Sequence, residues 1–269
     1  MASAADLQQA MNAGMRGRVG TAVALAVDSG RIVAIYHPEI AARRLARPGS
    51  AIKPFTLLAL LDAGAPSGTI RCLRQFRVGA RQMDCTHPAS AAPFDAVAAL
   101  AYSCNFYFGS RAAGLRNSDL IETFTRAGLI SRTGLYDREA VGELIPPTTV
   151  EARQLLALGE ANILVTPLAM AAAYRKLALR HDRPSISEGL AAATEYGTAR
   201  LARPEGISSA GKTGTASDPG GGAIHAWFAG YAPAASPRIV VVVFLQQGAG
   251  GRDAAPIAGE LFKIALQAP

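Results

Sequence analysis

The chain has 269 residues, half of them hydrophobic, enough to bury a sizeable core as one large domain or two interleaved subdomains, which argues against a disordered protein. The 27 basic and 20 acidic residues leave a net charge of +7, yet the arginines are scattered and only nine Phe and one Trp accompany them, so nothing points to nucleic acid. A solvated arginine-rich surface accounts for the charge, with attraction to an anionic polymer or membrane surface as the weaker reading.

Residues 4–13 are amphipathic, and TAVALAVDSGRIVAIYH reads as two strands joined at Asp28-Ser29-Gly30, where turn chemistry is in place. The polar loop ARRLARPGS leads to Ser50, and the Leu/Ala-rich run from 53 to 63 predicts a helix ending at Gly64 and Pro66. Residues 65–92 are rich in turns and short strand-like pieces; 93–179 are mostly helical, with a break at 140–148. Ser185 and Glu188 stand at capping-box spacing for a further helix. Three strands follow, SSAGKTGTAS, AIHAWFAGYAP and PRIVVVVFLQQ, then a terminal helix from about 254. Strands at both ends with helices between them predict an α+β fold, an antiparallel sheet closed by the N- and C-terminal segments. The expected organisation is a single domain over 1–269, with a sheet subdomain from about 18–50 and 185–269 and a helix-rich subdomain from about 65–180.

No apolar run approaches the ~20 residues of a membrane helix; IVVVVFL is strand-length, and ILVTPLAMAAAY carries Thr166 and Pro167. The opening MASAADLQQAMN shows no charged segment followed by an apolar one, so the expectation is a cytoplasmic protein or one from which an export segment has been removed. Cys72 and Cys85 are spaced to close a disulfide around a hairpin, worth roughly 3 kcal/mol if formed. With His87 they also suggest a metal site, but no fourth ligand stands at regular spacing, so zinc is disfavoured and no metal is expected. His37, His87 and His181 read as isolated surface or loop residues, and Cys104 as a core residue.

Three short motifs carry chemistry. Ser50 and Lys53 form a Ser-x-x-Lys string, a pattern expected on the order of once by chance in a chain this long, and Ser209 with Lys212 fits it too. The setting distinguishes Ser50: Pro48-Gly49 make a turn before it and an apolar helix follows, so Lys53 shares its face and helix-end N–H groups point outward. A serine hydroxyl needs a base beside it, and lysine serves when burial or a second cation lowers its pKa. Only four lysines stand against 23 arginines, and Lys53 and Lys212 both occupy motif-like settings. The second motif, Ser103-Cys104-Asn105, reads on its own as a helix cap, or as a hydroxyl and an amide projecting into a cleft. In the third, GKTGTA at 211–216, a phosphate loop is disfavoured because Gly206 is one residue too early and a strand follows. On an edge strand, Lys212, Thr213 and Thr215 would suit a carboxylate, and Gly214 would let a substrate backbone approach closely.

Ser-x-x-Lys, Ser-x-Asn and Lys-Thr-Gly in this order resemble the signatures of the penicillin-recognising serine acyltransferases, the penicillin-binding proteins and serine β-lactamases. PGSAIKPF, YSCNFYF, LVTPLAMAAAY, GTA at 197–199 and HAWFAGYAP look like the transpeptidase domain of high-molecular-mass penicillin-binding proteins, from about residue 20 to the end. The resemblance implies a five-stranded antiparallel sheet flanked by helices plus an α-helical subdomain, and a peptidoglycan D,D-transpeptidase that is acylated by β-lactams and needs no cofactor. By the same token Ser50 is the nucleophile and Lys53 its base. Ser103 relays a proton, and Asn105 holds the substrate amide and completes the bonding around Lys53. Lys212, Thr213 and Thr215 take the terminal carboxylate, and the N–H groups of Ser50 and Thr215 form the oxyanion hole. Peptidoglycan stem peptides, β-lactams and a membrane-anchored or cell-wall-synthesis partner follow, at an extracytoplasmic (periplasmic or cell-surface) location with the export segment removed. The chain as given shows no pedestal or anchor, so the expectation is either an excised domain or an unusually short relative; further departures are no acid in a Glu-x-x-Leu-Asn setting and Asn105 where class D enzymes carry an apolar residue. They favour slow acylation over fast β-lactam hydrolysis. A D,D-carboxypeptidase or β-lactamase, and a sensor that binds muropeptide or β-lactam covalently without turnover, stay open. His225 and Trp227 adjoin the third motif and read as packing residues rather than a base.

Overall fold

The computed structural model describes residues 3–65, 68–89, 92–218 and 220–267; Pro66 and small parts of the 65–92 stretch and of the glycine-rich turn lie outside them. Helix α1 (Ala4–Met15) precedes the hairpin of β1 (Gly20–Ala26) and β2 (Ile32–Tyr36), and α2 (Pro38–Arg43) follows. A 3₁₀ turn over Gly49–Ile52 runs directly into α3 (Lys53–Asp62). The two-residue strands β3 (Arg77–Val78) and β4 (Arg81–Gln82) then pair as a small hairpin. Helices α4 (Ala96–Ala101), α5 (Asn105–Ala112) and α6 (Asn117–Ala127) come next, then β5 (Glu143–Leu144), α7 (Val150–Ala157), β6 (Ile163–Leu164), α8 (Pro167–Ala178) and α9 (Pro184–Glu195). Strands β7 (Ala210–Ser217), β8 (Ile224–Ala232) and β9 (Ile239–Leu245) and helix α10 (Ala255–Leu266) complete the chain.

The five long strands make one sheet in the order β2-β1-β9-β8-β7, with every neighbouring pair antiparallel. The N-terminal hairpin thus docks on the C-terminal strands, as the α+β reading requires. The unbroken apolar run of β9 has a physical reason: the strand is central and buried on both faces. Val240, Val242 and Phe244 join the core shared with α8 and the helical region. Ile239, Val241, Val243 and Leu245 join a second core with α1 and α10, around Met11, Phe228 and Phe262. Strand β8 divides the same way, Trp227, Ala229 and Tyr231 on one side and Ala226 and Phe228 on the other. Each such buried side chain contributes about 1.5–3 kcal/mol relative to exposure.

Strand β7 is an edge, and its outer side borders the helical region. Helix α9 packs on both α4 and β7 and so links the two halves. The capping-box reading there does not hold: α9 begins at Pro184, with Arg183 as its N-cap and no side-chain cap bond, so Ser185 lies within the first turn. Proline at the first helical position needs no N–H and already has helical φ, which moves the start ahead of the serine. No helix among the described residues is long and apolar enough to cross a membrane.

Candidate active site

Ser50 sits in the 3₁₀ turn before α3, and several buried bonds fix that turn. The Gly49 N–H donates to Gly159 O (3.0 Å), the Tyr174 hydroxyl to Ala51 O (2.8 Å), and the Trp227 indole N–H to Arg47 O (3.0 Å). Tyr174 and Trp227 are fully buried, so each places a rigid aromatic donor against one carbonyl of the nucleophile segment. The turn also lies hard against β7: a Cβ on Gly214 would come within 2.5 Å of Pro48 O, and one on Gly49, whose φ is +49°, within 2.6 Å of Thr215 O. Gly214, which also lines the cavity, therefore lets the nucleophile turn approach the strand.

Lys53, the first residue of α3, is fully buried. Its ammonium donates to Ser103 O (2.8 Å), Ser103 Oγ (3.2 Å) and Asn105 Oδ1 (2.6 Å). Three donors meet three acceptors, which is the full capacity of a protonated lysine. Burial pulls its pKa from the usual lysine range down to about 8, against upward pulls from Cys104, Cys85 and Glu160. The Ser50 hydroxyl shares the cavity but is not among the three partners. Asn105 is itself oriented, because its Nδ2 donates to Met83 O (3.1 Å) and Asp84 O (3.2 Å), leaving Oδ1 for the lysine.

The Ser103–Asn105 turn departs from the cap reading. Cys104, not Ser103, is the N-cap of α5, its Sγ accepting from the Tyr107 N–H. Ser103 instead adopts a left-handed backbone, φ +58°, which costs a non-glycine residue roughly 1–2 kcal/mol. The Ser103 N–H bond to Leu100 O and the Cys104 N–H bond to Ala99 O hold it there. Strain of this kind, kept where the surrounding structure over-determines it, is characteristic of functional turns.

A cavity of about 320 Å³ collects Ser50, Ser103, Asn105, Thr213, Gly214 and Thr215. Thr215 is exposed on β7 and faces the Ser50 turn across the cavity, so the two residues assigned to the oxyanion hole border one space. Lys212 is not on the wall. It is fully buried, donates to Thr213 O (3.0 Å), and its pKa falls well below the ordinary range through burial and the neighbouring Lys53 charge. Thr213 and Thr215 line the space.

Motif reasoning missed several wall residues. Thr198, in the Gly-Thr-Ala stretch, accepts from Thr213 Oγ1 (3.0 Å) and so extends the hydroxyl row. Glu160 and Asp84 also line the cavity, although no acid stands in the sequence setting expected of a deacylating base. Burial raises the Glu160 pKa, with Lys53, Arg81 and Arg47 opposing. His225 is fully buried and off the wall, and burial lowers its pKa; Trp227 packs on Phe244, as expected of residues behind the edge strand.

The cysteines contradict two expectations. Cys72, Cys85 and Cys104 are free thiols, and the 3.6 Å between Cys72 and Cys85 Sγ excludes an S–S bond of about 2.05 Å. His87 lies in a loop, one of the two places read for it, but is buried there, and the Sγ and imidazole nitrogen atoms of Cys72, Cys85, His87 and Cys104 all lie within 4.8 Å of one another. Cys104, which no regular spacing tied to the other three, completes this cluster.

A family model described as the penicillin binding protein transpeptidase domain matches residues 20–263. Peptidoglycan D,D-transpeptidase PbpA of Mycobacterium tuberculosis is 41% identical over 71 residues, which are 23% of this chain and 14% of that protein, so the chain matches a small part of the curated relative. Pseudomonas aeruginosa PBP2 in complex with WCK 5153 superposes with a TM-score of 0.85 at 22% identity, over 97% of this chain and 74% of that one. Helicobacter pylori PBP2, solved in complex with MreC, gives 0.85 at 17% identity over 96% of this chain and 62% of that one. These structural likenesses show the fold.

The close approach of β7 to the nucleophile turn predicts that Gly214→Ala, whose Cβ would meet Pro48 O at 2.5 Å, lowers stability by about 1–3 kcal/mol in urea unfolding. An unchanged midpoint would mean that the strand is not seated as described.

Proposed function

The chain belongs to the penicillin-binding protein transpeptidase domain family, and from that premise we propose that it is a peptidoglycan D,D-transpeptidase working through an acyl-enzyme on Ser50. The observation that carries the reading is the convergence of Ser50, Ser103, Asn105, Thr213 and Thr215 on one cavity, with the buried Lys53 bonded to the Ser103–Asn105 turn.

Ser50 Oγ attacks the carbonyl carbon of the penultimate D-Ala of a D-Ala-D-Ala peptide as unprotonated Lys53 takes the hydroxyl proton. The N–H groups of Ser50 and Thr215 stabilise the tetrahedral oxyanion. Collapse breaks the C–N bond; the leaving amine takes a proton through Ser103 Oγ, which lies 3.2 Å from Lys53 Nζ. Attack by an acceptor amine on the ester then forms the cross-link and frees Ser50. Asn105 holds the substrate amide through whatever bonding capacity Lys53 leaves it. The hydroxyls of Thr213, Thr215 and Thr198 receive the terminal carboxylate, with Lys212 supplying field from beneath the strand. β-Lactams acylate the same serine. Such a substrate places the domain outside the cytoplasmic membrane. A cell-wall-synthesis partner is part of the same reading, supported by the MreC complex of the Helicobacter pylori relative.

Glu160 favours one second reading. Its carboxyl lines the cavity without a side-chain hydrogen bond or ion pair among the described residues, and burial raises its pKa, as suits a base that activates water. Hydrolysis of the acyl-ester would make the domain a D,D-carboxypeptidase or a β-lactamase.

Incubation with a fluorescent penicillin, followed by intact-mass analysis, is expected to give one covalent adduct on the wild type and none on Ser50→Ala; labelling of the variant would refute the nucleophile. The acylation rate should climb as pH rises through about 8, because the unprotonated fraction of Lys53 grows through that value, and then level off. A rate that is flat from pH 6 to 10 would remove Lys53 as the base. Glu160→Gln separates the two outcomes for the ester: if water is activated there, adduct release slows by on the order of 10²–10⁴, whereas unchanged release leaves transpeptidation as the reading.

A further inference from the structure

We propose that Cys72, Cys85, His87 and Cys104 form a tetrahedral site for a zinc-type divalent cation, which ties the β3–β4 segment to the turn carrying Ser103 and Asn105.

The spacing of the ligand atoms is the first support. A tetrahedral ion with Zn–S of about 2.3 Å and Zn–N of about 2.05 Å requires S···S edges of roughly 3.8 Å and an S···N edge of roughly 3.6 Å. Here Cys72 and Cys85 Sγ are 3.6 Å apart, Cys85 and Cys104 Sγ 3.7 Å, and Cys72 Sγ and His87 Nε2 3.5 Å. Cys85 is nearly equidistant from two other sulfurs, so the arrangement is a cluster and not a disulfide pair awaiting oxidation. Three thiols and an imidazole form a soft donor set, which selects zinc over calcium or magnesium.

The surroundings are also those of a ligand set. His87 Nδ1 lies 2.8 Å from Pro88 O, so a proton on Nδ1 donates to that carbonyl and leaves the Nε2 lone pair facing Cys72. Every sulfur accepts a backbone N–H: Cys72 from Arg74 (3.3 Å), Cys85 from Phe106 (3.3 Å) and Cys104 from Tyr107 (3.4 Å). Such bonds stabilise thiolates, the form in which cysteine binds a metal.

The segment also needs a staple. Over 68–89, Val78, Cys85 and His87 are the buried residues among those described, Ile70, Phe76 and Met83 are half-buried against the core, and Leu73 is 65% exposed. So little apolar burial does not offset the conformational entropy of ordering that length of chain. Yet its Met83 and Asp84 carbonyls orient Asn105, which in turn holds Lys53. A cation bound to Cys72, Cys85 and His87 from this segment, and to Cys104 from the turn, locks both sides of that contact. The four ligands do not touch substrate; they position the residues that do.

The test uses the whole chain, reduced, stripped with a chelator and titrated with Co(II) as the probe. One equivalent should bind with thiolate charge-transfer bands and the intense visible absorption of tetrahedral cobalt, and Zn(II) should bleach it by competition. Hydrogen exchange should show 68–89 and 103–105 becoming protected when metal is added. Cys72→Ala, at the partly exposed ligand farthest from the turn, should weaken binding more than about 100-fold while circular dichroism stays native. If that variant does not fold, the wild-type titration still decides. No cobalt spectrum from the reduced wild type, or peptide mapping that finds Cys85 in a disulfide in the protein as isolated, would overturn the site. Neither readout involves acylation, so this site and the acyl-enzyme reading fail independently.

Discussion

The burial of one ammonium group organises this molecule. Lys53 enters the core at the first turn of α3 and must find partners there, because an unpaired buried charge costs several kcal/mol. Ser103 and Asn105 supply them, one through a carbonyl and a hydroxyl, the other through a side-chain amide. Those acceptors come from a turn that is itself strained at Ser103 and steadied by the β3–β4 segment through Asn105. A lysine held this way is brought to about 8, roughly 3 kcal/mol of penalty on its protonated form, which places its proton exchange near neutral pH.

A second constraint is the contact between the nucleophile turn and the edge strand. The turn is bonded to α8 through Tyr174, to β8 through Trp227 and to the loop at Gly159, and it touches β7 where only glycine fits. Because β7 is the sheet edge, its free side can border a cavity while the rest of the sheet, buried on both faces by α1 and α10 and by α8, stays rigid. The sheet supplies precision, the helical region supplies Lys53's partners, and the cavity is the seam where they meet.

Much of this was legible in the sequence. The strands were readable from the turn at Asp28-Ser29-Gly30 and from the apolar run of β9, and the three motifs named Ser50, Ser103, Asn105 and Thr213–Thr215, which line one cavity, and Lys53, buried and bonded to the Ser103–Asn105 turn. What escaped depends on contacts between distant segments. Lys212 read as a direct carboxylate ligand on the edge strand, and spacing does not reveal that β7 buries it. That Gly214 also seats the nucleophile turn was hidden, because nothing local shows Pro48 behind it. Glu160 and Thr198 carry no motif and reach the wall through the loops that hold them. The cysteine cluster was half legible for the same reason: Cys72, Cys85 and His87 are close in sequence and suggested a metal site, but Cys104 arrives from a different turn, inside a motif already claimed for other chemistry. The false capping box at Ser185 shows the converse, a correct local pattern overruled by the proline beside it.

The state of Lys53 is the quantity on which the account turns. With four lysines in the chain, ¹⁵N labelling at the lysine Nζ and pH titration by NMR can resolve it, assigned through Lys53→Arg. Titration near 8 is the predicted result. If the Lys53 amine titrated above 10 like a solvated lysine, the ammonium would not be buried among these acceptors, and the base assignment would fall with it.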